Sequence, residues 1–539
     1  MGIFDSFFGS NEEKDAIPEV PKTLKDVLSF TVDGKTAKVH ILASRKGDPL
    51  LLSWLGTLEK NGFKVNKIYA DAEIISRQNS EIRHTSSGEI DTRTLNKIRH
   101  IFQIAASRKA SDIHILSEES YANVMIRING SLARVLQMPS NEAESIFRTI
   151  YQGGIAIADS GYKPHEYQAG QVTDRHILPD TVASIRIQRG PMMSGRFMVL
   201  RLLYNGLASK RKISNDGITP ELIRNPVSLD EGILEFTKFG FTHVQSMVLA
   251  MAARKPAGMV IFSGPTGSGK SSALQRALAF QARLYPEKAI YTIEDPPEYP
   301  IAGSRQLPVL NAANDAERAR KFQEALKVAM RSDPDILMVG EIRDPATAST
   351  ALDATITGHQ MWTTIHALDA FLIPTRLLRM GLDRQDLMDP SVLTALVAQR
   401  LVARLCSCSV DYDEGEEWLD SDIRERILME EDGDKRVRIR NPSGCEKCRD
   451  TPGISSRILV SEVVPVTQKL LNVFMEGSSS SAREWYRENA EDPMLMPDHG
   501  WSHVLSGIVD PRDMIAMVSD PPPPKNRGTK IMMGSGVSE

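Results

Sequence analysis

One segment of the 539-residue chain has the residue types and spacing that bind the phosphates of a nucleotide. Residues 264–271 read GPTGSGKS and satisfy the pattern GxxxxGK[ST], between an apolar strand-like run at 259–262 and a helical pattern at 271–283. In such a loop, backbone N–H groups and the start of the helix surround the phosphates, Lys270 neutralises the β and γ oxygens, and Ser271 binds Mg²⁺. A glycine-rich turn can match by chance, but the strand and helix on either side favour the nucleotide site. The predicted nucleotide-binding residues are Gly264, Pro265, Thr266, Gly267, Ser268, Gly269, Lys270, Ser271 and Ser272.

Three further strand-like runs end in side chains that could act on a bound phosphate. Residues 289–293 lead to Glu294, Asp295 and Glu298, residues 336–339 lead to Gly340 and Glu341, and residues 361–365 lead to His366. Ligands of open α/β sheets bind outside the carboxyl ends of the strands, so these groups are expected at one rim together with the glycine-rich loop. A single carboxylate after a strand is usually a helix cap or a solvated loop residue. Several strand-like runs that each end in such a side chain are less easily explained by chance.

All the cysteines fall in two close pairs, Cys406-Ser-Cys408 and Cys445-Glu-Lys-Cys448. Disulfides are rare in a reducing compartment, and two such thiol pairs predict a tetrahedral zinc site that closes a small subdomain. Because the first pair has the tight CxC spacing, free structural thiols remain the alternative.

The composition is that of a globular chain with several domains. Of its residues 41% are hydrophobic and 25% are charged, which excludes disorder along the whole length. The net charge of −4 gives no overall basic field for nucleic acid. No apolar run is long enough to span a bilayer and the amino end lacks a signal-peptide pattern, so we expect a cytoplasmic chain.

Periodicity and turn signals predict an α/β chain with eight segments. These are an amino-terminal docking module at 1–75, a linker at 76–92, a mixed α/β domain at 93–204, an interdomain linker at 205–232, a P-loop core at 233–404, a four-cysteine subdomain at 405–455, a carboxyl-terminal α/β part at 456–519 and a disordered tail at 520–539. Alternating strands and helices predict a parallel sheet in the core. Asn129-Gly130, which follows an alternating apolar run, predicts a hairpin.

The motifs resemble those of the secretion superfamily of hexameric ATPases, specifically the type II secretion and type IV pilus assembly motors. GPTGSGKSS at 264–272 resembles the family's Walker A motif, TIEDPPEY at 292–299 its aspartate box, RSDPDILMVGEIRD at 331–344 its Walker B region, and TGH at 357–359 with TTIHALDA at 363–370 its histidine box. The resemblance covers about residues 91–510. It implies a RecA-like P-loop domain preceded by a PAS-like mixed α/β domain. QRLVARLC and GCEKC also resemble the flanks of the zinc subdomain of assembly motors.

The resemblance implies roles for the acidic residues and for one histidine. Glu341 would hold Mg²⁺ directly or through water, and Glu298 would polarise the attacking water. Glu294 and Asp295 would organise the same loop. His366 would report the state of the γ-phosphate, with a hydrogen-bonded structural histidine as the alternative.

Two arginines of the mixed domain resemble the family's arginine fingers: Arg186 in SIRIQRGP and Arg201 in MVLRLL. Phosphoryl transfer depends mostly on positioning and charge stabilisation, so an arginine is expected beside the γ-phosphate. Exposed strand arginines fit the same pattern equally well. Arg127 and Arg331 are weaker candidates.

The resemblance therefore implies an ATP-hydrolysing motor for assembly of a type IV pilus or type II secretion pseudopilus, with ATP, Mg²⁺ and Zn²⁺ as cofactors. It further implies a homo-hexamer at the inner membrane, working with a platform protein and a cytoplasmic linker protein. Two alternatives stay open. A nucleic-acid translocating ATPase is disfavoured by the net charge, and a nucleotide-gated scaffold without turnover is disfavoured by Lys270, Glu298 and Glu341.

Overall fold

A computed structural model describes residues 24, 27–33, 35–70, 92–152, 156–157, 161–205, 216–222, 227–309, 312, 314–430 and 436–518. The predicted tail at 520–539 lies outside the described residues. The same holds for residues 76–91 of the first predicted linker and for residues 206–215 and 223–226 of the second.

The amino-terminal part is a small sheet covered by one helix. Its elements are β1 (Leu28–Asp33), β2 (Thr36–Leu42), α1 (Pro49–Lys60) and β3 (Lys64–Ala70). β2 lies in the centre, antiparallel to β1 and parallel to β3. The Asp48 side chain caps the start of α1, whose buried leucines and Trp54 pack in a core separate from the others described.

The second part is an antiparallel sheet with two helices. Its elements are α2 (Thr92–Ser107), β4 (Asp112–Ser117), β5 (Tyr121–Ile128), β6 (Ser131–Pro139), α3 (Ser140–Gln152), β7 (Ala156–Ile157), β8 (Gln168–Val172), β9 (Val182–Met192) and β10 (Gly195–Tyr204). The strand order is β6-β5-β4-β10-β9-β8-β7. Asn129 and Gly130 have φ angles of 51° and 83° and form the hairpin between β5 and β6, as the sequence predicts. The helices bury one face of this sheet.

The third part is a mostly parallel sheet between two helical layers. Its elements begin with α4 (Leu229–Phe239), α5 (His243–Arg254), β11 (Gly258–Ser263), α6 (Lys270–Leu284), β12 (Ile290–Glu294), β13 (Ser304–Pro308), α7 (Asp315–Met330), β14 (Ile336–Val339), α8 (Pro345–Ile356), β15 (Gln360–Ile365), α9 (Leu372–Arg379), α10 (Arg384–Leu387) and β16 (Leu393–Leu405). Alternate strand residues face opposite layers: Val260 and Phe262 pack with α5 and α6, and Met259 and Ile261 pack with α7 and α8.

The carboxyl-terminal part returns to the same sheet. It comprises β17 (Val410–Asp411), α11 (Tyr412–Gly415), α12 (Ser421–Glu430), β18 (Arg438–Ile439), β19 (Ile454–Pro465), α13 (Gln468–Glu476), α14 (Ser479–Asn489), α15 (Met496–Leu505) and α16 (Pro511–Val518). The sheet order is β13-β12-β14-β15-β11-β16-β19, with β19 antiparallel to β16. The sheet therefore extends beyond the predicted P-loop core at 233–404, and α4 begins within the predicted interdomain linker at 205–232.

The second part docks against the amino ends of β12 and β14 and along the edge strand β13, where the N–H of Met193 donates to the carbonyl of Gln306 at 2.8 Å. Phe197 of β10 packs edge-on against Tyr291 of β12, with ring centroids 5.9 Å apart. The guanidinium of Arg127, which is 6% exposed, pairs with Asp333 and, at 2.8 Å, with Asp335. Asp335 directly precedes β14, so this contact lies at the end of the sheet opposite the predicted nucleotide rim.

Candidate active site

The glycine-rich loop joins β11 to α6 and is supported from below by β16. A Cβ on Gly264, whose φ is 147°, would lie 2.5 Å from the carbonyl oxygen of Gln399, so this position requires glycine. The Gln399 side chain donates to the carbonyl of Ser268 at 2.7 Å. Lys270 Nζ donates to the carbonyls of Gly264 and Pro265 at 2.8 and 3.0 Å. The loop thus has a fixed shape and ends at the amino terminus of a helix, where anions bind.

A cleft of about 940 Å³ runs along the carboxyl ends of the strands. It is large enough for a nucleotide. The predicted residues that line it are Thr266, Gly267, Ser268, Gly269, Lys270, Ser271, Ser272, Glu294, Asp295, Glu298, Glu341 and His366. Gly264 and Pro265 form the start of the same loop. The structure thus brings the ends of β11, β12, β14 and β15 to one site.

Glu341 lies at the centre of a small polar network. Its Oε1 is 2.9 Å from Nε2 of His366, and its Oε2 accepts a hydrogen bond from Nε of Arg343 at 2.8 Å. Burial lowers the pKa of Lys270, and the negative charge of Glu341 acts in the opposite direction. The carboxylate of Glu341 therefore interacts with the charge of Lys270 and contacts the ring of His366.

The acidic residues after β12 differ in how they are held. Glu294 Oε1 accepts hydrogen bonds from the Thr292 hydroxyl at 2.6 Å and from Nε2 of Gln306 at 3.0 Å. Asp295 is half-buried, and Glu298 is exposed to the cleft. Glu294 is thus fixed to β13, whereas Glu298 faces the space that a substrate would occupy.

The structure does not bring Arg186 and Arg201 to this cleft. They line a separate cavity of about 350 Å³ with Arg331. Arg201 donates from Nε to Asp112 at 2.8 Å and from Nη2 to Asp333 at 3.2 Å. The expected position beside the phosphate is therefore not observed within this chain, because Arg201 pairs with Asp333, which precedes β14 at the end of the sheet opposite the cleft.

Three other arginines line the cleft. Arg343 stands two residues after Glu341 within the GEIRD stretch, so its proximity was readable from the sequence. Arg318 of α7 forms an ion pair with Asp295 at 3.6 Å, and Arg457 comes from β19. Neither Arg318 nor Arg457 belongs to one of the motifs, because each lies on an element outside them.

The cysteines form a second candidate site. Sγ of Cys406 lies 3.8 Å from Sγ of Cys445, and Sγ of Cys408 lies 3.7 Å from Sγ of Cys448. All four sulfur atoms lie within 4.8 Å of one another. A tetrahedral zinc with bonds of about 2.3 Å places its sulfur ligands about 3.8 Å apart, so the four thiols fit that ion despite the CxC spacing. The N–H of Gly453 donates to Sγ of Cys448 at 3.2 Å and helps to orient it.

Within the residues that the structure describes, no helix has both the length and the apolar character needed to cross a bilayer.

The cleft and its motif-bearing strand ends agree with a comparison against known families. The family model described as "Type II/IV secretion system protein" matches residues 223–516, which is more than half of the chain. The chain belongs to this family. Its relatives include ATPases of type II secretion and type IV pilus assembly, and the membership confirms the resemblance found in the motifs.

Two curated relatives of this secretion-family chain show how far the similarity extends. The type IV pilus assembly ATPase PilB of Thermus thermophilus is 30% identical over 461 residues, covering 84% of this chain but 47% of its own length. The type II secretion system protein E of Aeromonas hydrophila is 30% identical over 398 residues, covering 73% of this chain and 70% of its own. The chain thus spans about half the length of the Thermus relative.

One solved structure similar to the chain is the Legionella pneumophila ATPase DotB, at 17% identity. The match covers 77% of this chain and 93% of DotB, with a TM-score of 0.37.

Proposed function

We propose that this chain hydrolyses ATP to drive assembly of a type IV pilus or a type II secretion pseudopilus. The observation that carries the proposal is the single cleft that joins the glycine-rich loop to Glu298, Glu341 and His366. The names of the curated relatives support the choice of apparatus. Cytoplasmic location, peripheral at the inner membrane, is part of the same proposal, with a platform protein and a cytoplasmic linker protein as partners.

The positions of these groups in the cleft support a proposed role for each of them. The loop N–H groups, the start of α6 and Lys270 would bind the β- and γ-phosphates. Ser271 and Glu341 would hold Mg²⁺, which supplies charge neutralisation at the phosphates when it is bound. Glu298 would orient the attacking water and accept its proton. His366, beside Glu341, would respond to the presence of the γ-phosphate.

Arg186 and Arg201 remain proposed arginine fingers. Since they lie at the far end of the sheet from this chain's own cleft, they would serve the cleft of a neighbouring chain in the proposed homo-hexamer. Mixing Lys270→Ala chains with Arg201→Ala chains tests this. Mixed rings should regain turnover that neither variant shows alone, and a mixture as inactive as its components would contradict it.

The direct test of the proposed function is replacement of the loop lysine. Lys270→Ala should abolish ATP turnover and weaken nucleotide binding, because the β- and γ-phosphates lose their main cation. Lys238→Ala, at an exposed position of α4, is the matched control and should leave both unchanged. Phosphate release and fluorescent-nucleotide titration measure the two quantities. Undiminished turnover in Lys270→Ala would overturn the assignment, and stimulation of the unaltered protein by DNA would favour a translocase.

A further inference from the structure

A buried carboxylate outside the cleft connects two distant segments. Glu462 lies on β19, is 2% exposed and accepts two backbone hydrogen bonds. Its Oε1 takes the N–H of Ala370 at 2.7 Å, and its Oε2 takes the N–H of Met496 at 3.1 Å. Burial raises the pKa of Glu462, while these two bonds lower it. Burying a carboxylate costs free energy, and the two hydrogen bonds offset part of that cost and fix the side chain in place.

The first of these bonds fixes the loop that follows His366. Three side chains from the carboxyl-terminal part of the sheet and its helices hold this loop: Arg400 donates to the carbonyl of Leu368 at 2.7 Å, Arg483 pairs with the carboxylate of Asp369, and Glu462 binds the N–H of Ala370. At its other end the loop starts with His366, which lies 2.9 Å from Glu341. The far side of the loop is therefore anchored while its near side touches the candidate catalytic network.

The second bond ties the same carboxylate to a helix. Met496 is the first residue of α15, so Glu462 bridges the start of that helix and the His366 loop with its two oxygens. The charge of Arg483 opposes the rise that burial gives to the pKa of Glu462, and the charge of Glu462 opposes the fall that burial gives to the pKa of Arg400. A shift of α15 would therefore reach the loop through one rigid, buried group.

We propose that Glu462 is a positioning residue, which sets the placement of His366 against Glu341 and couples the carboxyl-terminal helices to ATP hydrolysis. The proposal rests on the proposed function, since His366 must contribute to turnover for its placement to matter. Glu462 is not among the residues that line the cleft. Its effect is expected on the rate of the chemical step rather than on nucleotide binding.

The Glu462→Gln variant tests the role with little change in volume. An amide has one acceptor oxygen and presents an NH₂ group to the other backbone donor, so one of the two bonds is lost. We expect kcat for ATP to fall about tenfold, as the loss of one charge-assisted hydrogen bond predicts, with KM and nucleotide affinity within about twofold of the original. The exposed Glu484→Gln of α14 is the control and should leave kcat unchanged.

A double-mutant cycle with His366→Ala separates positioning from general stability. If Glu462 acts through His366, Glu462→Gln causes no further loss of kcat in the His366→Ala background. An equal loss in both backgrounds overturns the inference while leaving the proposed function intact. If His366→Ala alone leaves turnover unchanged, the proposed role of His366 fails and the inference fails with it.

A second variant covers the case in which Glu462→Gln does not fold. Arg483→Gln removes the partner of Asp369 at a side chain that is 38% exposed, so it loosens the same loop without leaving a group unpaired in the core. We expect a severalfold fall in kcat that vanishes in the His366→Ala background. A fall that persists there would also overturn the inference.

Discussion

Glu298 and Glu341 both line the cleft, but they differ in exposure and in the contacts that hold them. Glu341 is 19% exposed and its two oxygens contact His366 and Arg343, so its position is set before a substrate arrives. Glu298 is exposed and follows β12 on a loop. A fixed carboxylate suits a metal-binding role, and an open one suits contact with an attacking water.

Replacing Glu298 should separate ATP binding from ATP hydrolysis. Glu298→Gln keeps the size of the side chain but removes the base, so kcat should fall by at least about 100-fold while nucleotide affinity stays within a few-fold. Steady-state phosphate release and equilibrium nucleotide binding measure this. Glu488→Gln, exposed on α14, serves as control. A kcat close to the original would remove Glu298 from the mechanism.

At the level of residues, the sequence located the acidic groups and the histidine that follow strands, and it did not mark arginines such as Arg457 that reach the cleft from other elements. Glu294 and Glu341 were predictable because an apolar run ending in an acid marks a strand end at the rim. Arg457 gave no such signal, because its position depends on β19 pairing with β16. Arg201 was expected at the phosphate, yet its partners are Asp112 and Asp333, a choice that only the docking of two sheets decides.

The packing of α15 against β19 includes a buried histidine. Nδ1 of His499 accepts the N–H of Ser461 at 3.1 Å, and burial lowers the pKa of His499 to about 4. Its neighbour His503, with ring centroids 4.7 Å apart, has its pKa lowered by burial as well. The native state therefore holds His499 in its neutral form.

This histidine should make stability depend on pH in a defined window. The unfolded chain takes up a proton near pH 6.5 but the native one does not until about pH 4, so the free energy of unfolding falls as pH drops from 6.5 to 4, by about 3 kcal/mol from His499. Chemical denaturation across this range measures the slope. His499→Gln should flatten it and the exposed His165→Gln should not. An unchanged slope in His499→Gln would contradict the neutral, buried state.

The cysteine site should stabilise the segment between β16 and β19. We expect about one zinc per chain, and Cys448→Ser should lower both zinc content and the melting temperature because metal binding contributes directly to folding. Elemental analysis of chelator-free protein and calorimetry provide the measurements. Ser443→Ala, in the adjacent turn, is the control. A content below about half a zinc per chain in the unaltered protein would leave the four residues as structural thiols.

At the scale of the whole molecule, a buried arginine joins the second sheet to the core. Arg127 inserts between Asp333 and Asp335, and Asp333 also accepts from His114 at 3.0 Å. Leu132, Phe197 and Val199 complete the contact with an apolar core shared by both parts. Charge pairing and apolar burial therefore act together at this interface.

Removal of that arginine should loosen the docking of the two parts. Arg127→Met removes the salt bridge to Asp335 and leaves Asp333 with Arg201 and His114 as its remaining partners, and breaking a buried pair of this kind costs about 3–5 kcal/mol. Small-angle X-ray scattering should show a larger radius of gyration, and calorimetry a split transition. Arg134→Met, which removes the more exposed pair with Glu221, should change neither. A single unshifted transition in Arg127→Met would show that the apolar contacts suffice.

This docking also marks the limit of what the sequence alone could predict. Periodicity and turns indicated the strands of each part, since those depend on neighbouring residues. Arg127 and Asp333 are 206 residues apart, and nothing in either local pattern specifies the other. Their pairing follows from how two completed sheets fit together, which is a property of surfaces rather than of segments.

β16 and β19 are paired from Ala395 with Pro465 to Leu405 with Ile454, so the chain leaves the sheet and re-enters it at adjacent positions. The described residues between the two strands, 406–430 and 436–453, include the thiol cluster and pack against the start of α16, where the N–H of Arg440 donates to Asp510 at 2.8 Å and Arg512 donates to the carbonyl of Trp418 at 3.3 Å. Both ends of this segment meet at one end of the paired strands, so a change in its length leaves the register of β16 with β19 and the order of the other strands unaltered.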